Sequence, residues 1–172
     1  ICREQSRDKL ILIYNFLKKN TQCADELFYL CCKYNYLESG KILFREDHIT
    51  NDIDIFQKRN HGFKISLENG HLKYSKWLYE IGHIDIKPNL HQYIFHCTSN
   101  GRLNIIQWLL SLESVNAHEY LVKKGYLILK KSCQHGKFGI TCWLYKIIKE
   151  FITDLKFKIL FDVSLNYGRI DI

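Results

Sequence analysis

The sequence predicts an all-α solenoid, in which antiparallel pairs of helices stack one on the next. The first observation is a repeated turn residue: Asn35, Gly70, Gly101, Gly136 and Gly168 hold the same place in five similar segments, at steps of 35, 31, 35 and 32 residues. The second is that apolar residues recur at helical spacing on both sides of each turn. A period near 33 residues with two helices per unit is typical of helical repeat proteins.

The first helix of each unit is predicted from the segment before the turn. Ile94, Cys97 and Thr98, which precede Gly101, are spaced to share one helix face. Glycine is suited to the left-handed conformation that closes a helix. We therefore expect a short first helix to end at each turn residue.

The second helix is predicted from the segment after the turn. Leu72, Trp77 and Leu78 supply its apolar face, and the corresponding positions later in the chain are Leu103, Trp108, Leu109 and Phe138, Trp143, Leu144. Their fixed position predicts that the tryptophans belong to the core between repeats and not to a ligand site. Neither helix can bury its faces alone, so each unit needs neighbours.

The motif Glu68-Asn69-Gly70-His71-Leu72, followed by Trp77-Leu78, resembles the core of the ankyrin repeat family. It is similar in particular to the divergent Trp-Leu-containing ankyrin repeats of giant amoeba-infecting DNA viruses. The resemblance covers about residues 24–172. It implies an ankyrin-type solenoid with short finger loops and a pair of small residues in each first helix, which matches Cys31-Cys32, Cys97-Thr98 and Ser132-Cys133. The family's Thr-Pro-Leu-His opening is not kept.

These alignments predict the domain organisation. Repeats are expected at about 24–55, 56–86, 87–121 and 122–154, with a partial repeat at 155–172. Residues 1–23 are expected to form a degenerate leading repeat or cap. Extra residues in 45–55 and 111–120 are expected to lengthen the connecting loops.

The composition bounds the classes of function. No apolar run approaches the ~20 residues that a membrane-spanning helix needs, so no membrane association is expected. The seven cysteines have no spacing typical of a disulfide framework, which favours reduced thiols and an intracellular, cytoplasmic location, in the host cytoplasm if the protein is viral. Zinc-binding cysteine pairs, phosphate-binding glycine loops and paired catalytic carboxylates are missing from the sequence, so we expect no metal, cofactor, small-molecule substrate or enzymatic activity.

The resemblance implies that a protein partner binds on a concave face formed by the fingers and the exposed side of the first helices. The net charge of +7 suggests that this partner has an acidic or mixed polar surface. The residues carried onto this face by alignment are Lys33, Tyr34, Lys58, Glu68, Asn69, Asn89, His91, Ser99, Asn100, Lys123, Lys124, Tyr126, Gln134, His135, Asn166 and Tyr167.

Two alternatives to a protein-binding adaptor remain open. A basic groove with tyrosine and histidine side chains could follow a phosphate backbone, which would make the chain a nucleic-acid binder. The excess of lysine over arginine and the presence of Glu68 and Glu119 in the strip disfavour this alternative. The stack could also be a structural component of a larger assembly.

Overall fold

The computed structural model describes residues 21–47, 55–82 and 84–151. The predicted leading cap lies almost wholly outside these residues. The partial repeat at 155–172, with the predicted contact residues Asn166 and Tyr167, lies outside them too. The backbone of Lys58 is described, but its side chain is not.

The described residues are helical and contain no β-strand, which confirms the all-α class. Two short 3-10 turns, Lys87–Asn89 and Lys149–Phe151, accompany the α-helices. None of the described helices combines the length and apolar character needed to cross a bilayer. The α-helices are α1 (Thr21–Tyr34), α2 (Leu37–Asp47), α3 (Ile55–Asn69), α4 (Leu72–Gly82), α5 (Leu90–Ser99), α6 (Leu103–Leu110), α7 (Ala117–Gln134) and α8 (Phe138–Ile148).

The helices pack in neighbouring pairs, each made of a first helix and the second helix that follows it. The pairs are α1 with α2, α3 with α4, α5 with α6, and α7 with α8. The chain divides between Ile84 and Asp85 into two compact units, so unit 1 contains α1 to α4 and unit 2 contains α5 to α8. Within each unit the two first helices also pack against each other, α1 on α3 and α5 on α7.

The four predicted turn residues that the structure describes have a left-handed backbone; the fifth, Gly168, lies outside the described residues. The φ angles are 62° at Asn35, 87° at Gly70, 74° at Gly101 and 60° at Gly136. This region favours glycine, and asparagine tolerates it better than most residues. Every second helix then begins two residues later, so the predicted turn positions are confirmed for all four described pairs.

The same backbone hydrogen bond closes all four turns. The amide of the residue after the turn residue donates to the carbonyl oxygen five positions earlier, which is the Schellman arrangement of a helix C-terminus. The N···O distances are 3.0 Å for Tyr36 to Cys31, 2.9 Å for His71 to Ser66, 2.8 Å for Arg102 to Cys97 and 2.8 Å for Lys137 to Ser132. The turn is therefore one structural device used four times.

The carbonyl acceptors of these turns belong to small residues that are buried. Ser66 and Ser132 also carry hydroxyls, and each hydroxyl shares a hydrogen bond of 2.8 Å with a hydroxyl nine residues later, on Ser75 and Thr141 respectively. The bonds join the two helices of a pair inside the core. A buried hydroxyl without a partner is costly, so these two bonds satisfy the hydroxyls of Ser66, Ser75, Ser132 and Thr141. In the other two copies the acceptor residue is Cys31 or Cys97.

The length of the first helices differs from the expectation of short helices with finger loops. Helix α3 has 15 residues and α7 has 18, whereas α5 has 10. Pro88 lies in the 3-10 turn before α5, where its missing amide hydrogen disfavours an earlier helix start. The segment directly before α7 contains no proline. The start of α7 is capped by the Asn116 side chain, which accepts a hydrogen bond from the Glu119 amide.

These longer helices correct two of the sequence expectations. The finger positions Lys58, Lys123, Lys124 and Tyr126 lie inside α3 and α7, not in loops. Residues 45–47 extend α2, residue 55 begins α3, and residues 117–120 form the first turn of α7, so part of each predicted insertion is helical.

The tryptophans also differ from expectation. Trp77, Trp108 and Trp143 are half-buried, while the leucine that follows each of them is fully buried. Trp77 packs by its edge against Phe44 and Tyr74, with ring centroids 5.6 and 5.4 Å apart. The bulk of indole explains the difference, because a ring of this size on a helix face reaches the surface more readily than leucine.

Candidate functional site

Unit 1 exposes a group of aromatic side chains around a lysine at the end of α1. We call Tyr29, Lys33, Tyr34, Tyr36 and His61 the tyrosine patch. Tyr34 and Tyr36 are 56% and 60% exposed, unusually high fractions for aromatic rings. Sequence analysis named only Lys33 and Tyr34 of this group.

Contacts between neighbouring side chains make the tyrosine patch continuous. The Lys33 ammonium lies 6.0 Å from the ring centroid of Tyr29 and 5.5 Å from that of Tyr34. The ring of Tyr34 is 6.4 Å from that of Tyr36, and Tyr29 stacks on His61 with centroids 5.7 Å apart and planes 18° apart. The patch thus joins the exposed side of α1, its turn and the adjacent part of α3.

His71, which directly follows the turn residue Gly70, has a structural role. Its Nε2 lies 2.8 Å from the carbonyl oxygen of Lys33. A carbonyl can only accept, so the Nε2–H group donates and the tautomer is fixed. This bond ties the turn after α3 to the C-terminus of α1, directly behind the tyrosine patch.

Several predicted contact residues use their polar groups within their own helices. Asn69 donates its side-chain amide to the Ile65 carbonyl at 2.9 Å, and Asn100 donates to the His96 carbonyl at 3.1 Å. The Ser99 hydroxyl donates to the Phe95 carbonyl at 3.1 Å. These side chains therefore help to end the first helices and have fewer donors left for a partner.

The remaining predicted positions differ in exposure. Glu68 and Gln134 are half-buried near the ends of α3 and α7, and His135 is exposed in the turn after α7. Asn89 is exposed at the end of the 3-10 turn, and Tyr126 is half-buried on α7. Lys123 and Lys124 are exposed, and His91 is half-buried in the first turn of α5.

Lys123 and Lys124 line a cleft in unit 2, and His91 contacts Tyr120 in the lining of the same cleft. This lysine cleft has a volume of about 260 Å³ and lies between the start of α5, the segment before α7 and the first turns of α7. Leu90 and Val115 contribute apolar surface to it. Its polar lining is Lys87, Ser114, Asn116, Glu119, Tyr120, Lys123 and Lys124.

The single carboxylate of the lysine cleft is already occupied. One oxygen of Glu119 accepts from the Lys123 ammonium, and the other accepts from the Asn116 amide at 3.3 Å. The hydrogen bond from Lys123 and its charge hold the pKa of Glu119 below its usual value. Within the described part of the chain, neither Lys87 nor Lys124 forms a salt bridge, so two positive charges at the cleft are uncompensated.

His91 supports one wall of the lysine cleft. Its Nδ1 shares a hydrogen bond of 3.0 Å with the Tyr120 hydroxyl, and its ring packs on Phe95 with centroids 4.9 Å apart. Burial, and secondarily the charge of Lys124, lower the pKa of His91. The imidazole is therefore neutral at neutral pH and holds Tyr120 in place through a neutral contact.

Four of the described cysteines, Cys31, Cys32, Cys97 and Cys133, are small core residues. Burial raises the pKa of Cys31 to about 11 and that of Cys32 to about 12, so both remain protonated and poorly nucleophilic at neutral pH. Cys97 and Cys133 are buried as well, and Cys142 is half-buried. In residues 21–47, 55–82 and 84–151, no group of three histidine, cysteine or acidic side chains is arranged to hold a metal ion.

Sequence reasoning missed much of both surfaces, although signals for them exist. Tyr29 and Lys33 are four residues apart, which places them on one face of a helix. Asn116 and Glu119 have the spacing of a helix capping box, which would have located the start of α7 and with it the lysine cleft. Lys87 carries no comparable signal, because its place in the cleft follows from the turn around Pro88.

Comparison of the chain with protein-family models, curated proteins and solved structures found no match. The repeated units therefore rest on the four equivalent turns and the pairing of their helices.

Proposed function

We propose that this chain is a non-catalytic protein-interaction module made of ankyrin-type repeats, acting inside the cell. The repeat interpretation is supported by the left-handed turn residues at steps of 35, 31 and 35 and by the helix that begins two residues after each of them. The intracellular location is supported by the buried free thiols, which are typical of reducing compartments.

The tyrosine patch is the observation that carries the binding function. Tyrosine side chains bring a large contact area and a hydroxyl, and they are enriched among the residues that dominate the energy of protein interfaces. Tyr29 and Tyr34 lie beside Lys33 on α1, and Tyr36 in the following turn contacts Tyr34. In this arrangement the aromatic rings supply most of the affinity, and the positive charge of Lys33 attracts an acidic partner surface.

The first prediction tests the tyrosine patch by affinity capture. The chain is immobilised and exposed to lysate of its cell of origin at two salt concentrations, with and without nuclease treatment. We expect the wild-type chain to retain a discrete protein at both concentrations. Tyr34→Ser combined with Tyr36→Ser should weaken binding of that protein at least ~tenfold, because central aromatic contacts typically contribute more than ~1 kcal/mol each.

The control pair is Phe138→Ser with Tyr145→Ser, which removes two exposed aromatic rings from the second helix α8. Circular dichroism checks that both variants fold. Equal loss of the partner in the two variants, or no loss in either, would contradict binding at the tyrosine patch. If the captured material is lost upon nuclease treatment and at moderate salt, the nucleic-acid alternative is supported instead.

A further inference from the structure

The lysine cleft is too small for most organic ligands but large enough for amino-acid side chains. Its volume of about 260 Å³ lies below the ~300–1,000 Å³ usual for pockets that enclose small molecules. Leu90 and Val115 provide an apolar area beside the lysines. A ligand with one charged and one apolar group side by side would complement both parts.

The charge of the cleft is fixed by its internal bonds. Lys123 and Asn116 satisfy the Glu119 carboxylate, which leaves Lys87 and Lys124 to face an incoming group. Asn116 is the N-cap of α7, an 18-residue helix, so the partial positive charge of that helix end lies in the same place. Both features favour a negative group in the cleft.

From this geometry we infer that the lysine cleft binds an acidic peptide segment, with a carboxylate between Lys87 and Lys124 and a neighbouring apolar side chain on Leu90 and Val115. The inference rests on the proposed function, because the segment belongs to a protein partner. It assigns that partner a chemistry that the tyrosine patch alone does not define.

An acidic peptide fits the cleft better than a nucleic-acid backbone does. No arginine lines the cleft, although arginine is the residue best suited to grip phosphate with two bonds. The side chains of Leu90 and Val115 offer a phosphate no hydrogen bond or charge, but they can pack against an aliphatic side chain.

The second prediction uses a synthetic probe, a fluorescein-labelled peptide that alternates glutamate and leucine. Fluorescence anisotropy at low salt should detect its binding to the whole chain. We expect Lys87→Glu with Lys124→Glu to weaken binding about tenfold, since two attractive contacts become repulsive. Peptides alternating glutamine with leucine, or glutamate with serine, should bind more weakly than the first probe.

The matched control is Lys146→Glu with Lys149→Glu, which makes the same change in net charge at exposed positions outside the cleft. It should change binding by less than about twofold. Lys87→Gln with Lys124→Gln serves as a milder second variant if the reversed one fails to fold by circular dichroism.

Three outcomes with the peptide probes would overturn the inference. They are an absence of binding by the wild-type chain up to about 1 mM peptide, equal loss in the cleft and control variants, and equal binding of the glutamine probe. Preferential binding of oligothymidylate through Lys87 and Lys124 would assign the cleft to nucleic acid and overturn it as well. Because the capture experiment depends on Tyr34 and Tyr36, it can succeed while the cleft fails, which separates the two proposals.

Discussion

At the scale of single residues, each helix pair depends on one backbone conformation. Asn35 adopts the left-handed region in the first copy and glycine does so in the next three. A side chain with a Cβ atom is strained there by about 1–2 kcal/mol, and asparagine is among the few residues that visit the region routinely. The turn position is therefore occupied by asparagine or glycine because these residues tolerate the left-handed conformation.

The third prediction concerns Gly136, whose φ is 60°. Gly136→Ala should lower the free energy of unfolding by about 1–2 kcal/mol, and Gly136→Asn should lower it by clearly less. Urea denaturation followed by circular dichroism measures both. Asn35→Gly is the complementary change and should leave stability nearly unaltered; an Ala variant as stable as the Asn variant would contradict the role given to the turn.

His91 makes one wall of the lysine cleft sensitive to pH. Its folded-state pKa lies below the usual 6.5, so the folded chain binds fewer protons here than the unfolded chain does. The corresponding stability is complete above pH ~6.5 and is lost as the pH falls through the lowered pKa. The groups that face the ring are Tyr120, Phe95 and Lys124.

The fourth prediction follows from that sign. Between about pH 7.5 and about pH 5.5, the free energy of unfolding of the wild-type chain, measured by urea denaturation, should fall by more than that of the His91→Asn variant. The asparagine side chain of this variant cannot titrate. The other histidines are common to both proteins and cancel in the comparison. The ring protons of His91 should also titrate below pH ~6.5 by nuclear magnetic resonance, and a midpoint at or above that value would contradict the assigned environment.

At the scale of the elements, a glycine lies where the second helices α2 and α4 meet. Gly40 on α2 faces Tyr74 on α4, and a Cβ atom at Gly40 would overlap the Tyr74 hydroxyl group. Tyr74 is fully buried, and its hydroxyl has only the Cys32 thiol beside it. The tyrosine therefore occupies the space that a larger residue at position 40 would need.

The fifth prediction compares two glycines in second helices. Gly40→Ala should destabilise the chain by about 1–3 kcal/mol through overpacking against Tyr74. Gly139→Ala, where a Cβ atom meets nothing within 4 Å, should be neutral or stabilising by up to ~1 kcal/mol from helix propensity. Thermal denaturation measures the change in stability of each variant. Equal changes in the two variants would contradict the close approach of α2 and α4.

The elements show which parts of the fold were predictable. The turn positions and the starts of the second helices were predictable, because each depends on a local conformational requirement followed by apolar residues at helical spacing. The lengths of α3 and α7 were not, since the expected finger positions Lys58, Lys123, Lys124 and Tyr126 became helix interior. Tertiary packing overrides weak propensity there: Gly125 is buried inside α7, and a Cβ atom at this position would lie only 3.1 Å from the Ile148 side chain.

The candidate surfaces were predictable only in part for a similar reason. Lys33, Tyr34, Lys123 and Lys124 were identified from their alignment with the turns, and the structure places them on or beside the two surfaces. The bonds of Asn69 and Asn100 to their own helices could not be seen in an alignment, because the side chain of a residue at a helix end can turn either way. Tyr36 was missed because it follows the turn residue.

At the scale of the whole molecule, the net charge of +7 acts at longer range than the two proposed binding surfaces. Exposed lysines attract acidic partners over a distance set by salt, about 10 Å at 0.1 M ionic strength. In the proposed interactions, the tyrosine patch and the lysine cleft act only at contact. We therefore expect the lysines outside these surfaces to contribute mainly to the rate of encounter, and Lys87 and Lys124 to select a carboxylate.

The repeated turn has a consequence for the evolution of such a chain. Within each period of about 33 residues, one position is constrained by backbone conformation and a few are constrained to be small or apolar. Positions outside these, outside close contacts such as Gly40 with Tyr74 and outside the proposed binding surfaces can vary as long as the second helix still begins two residues after the turn. Because so few positions are constrained, repeats that arise by duplication keep the same backbone path long after their sequences have ceased to be recognisably similar.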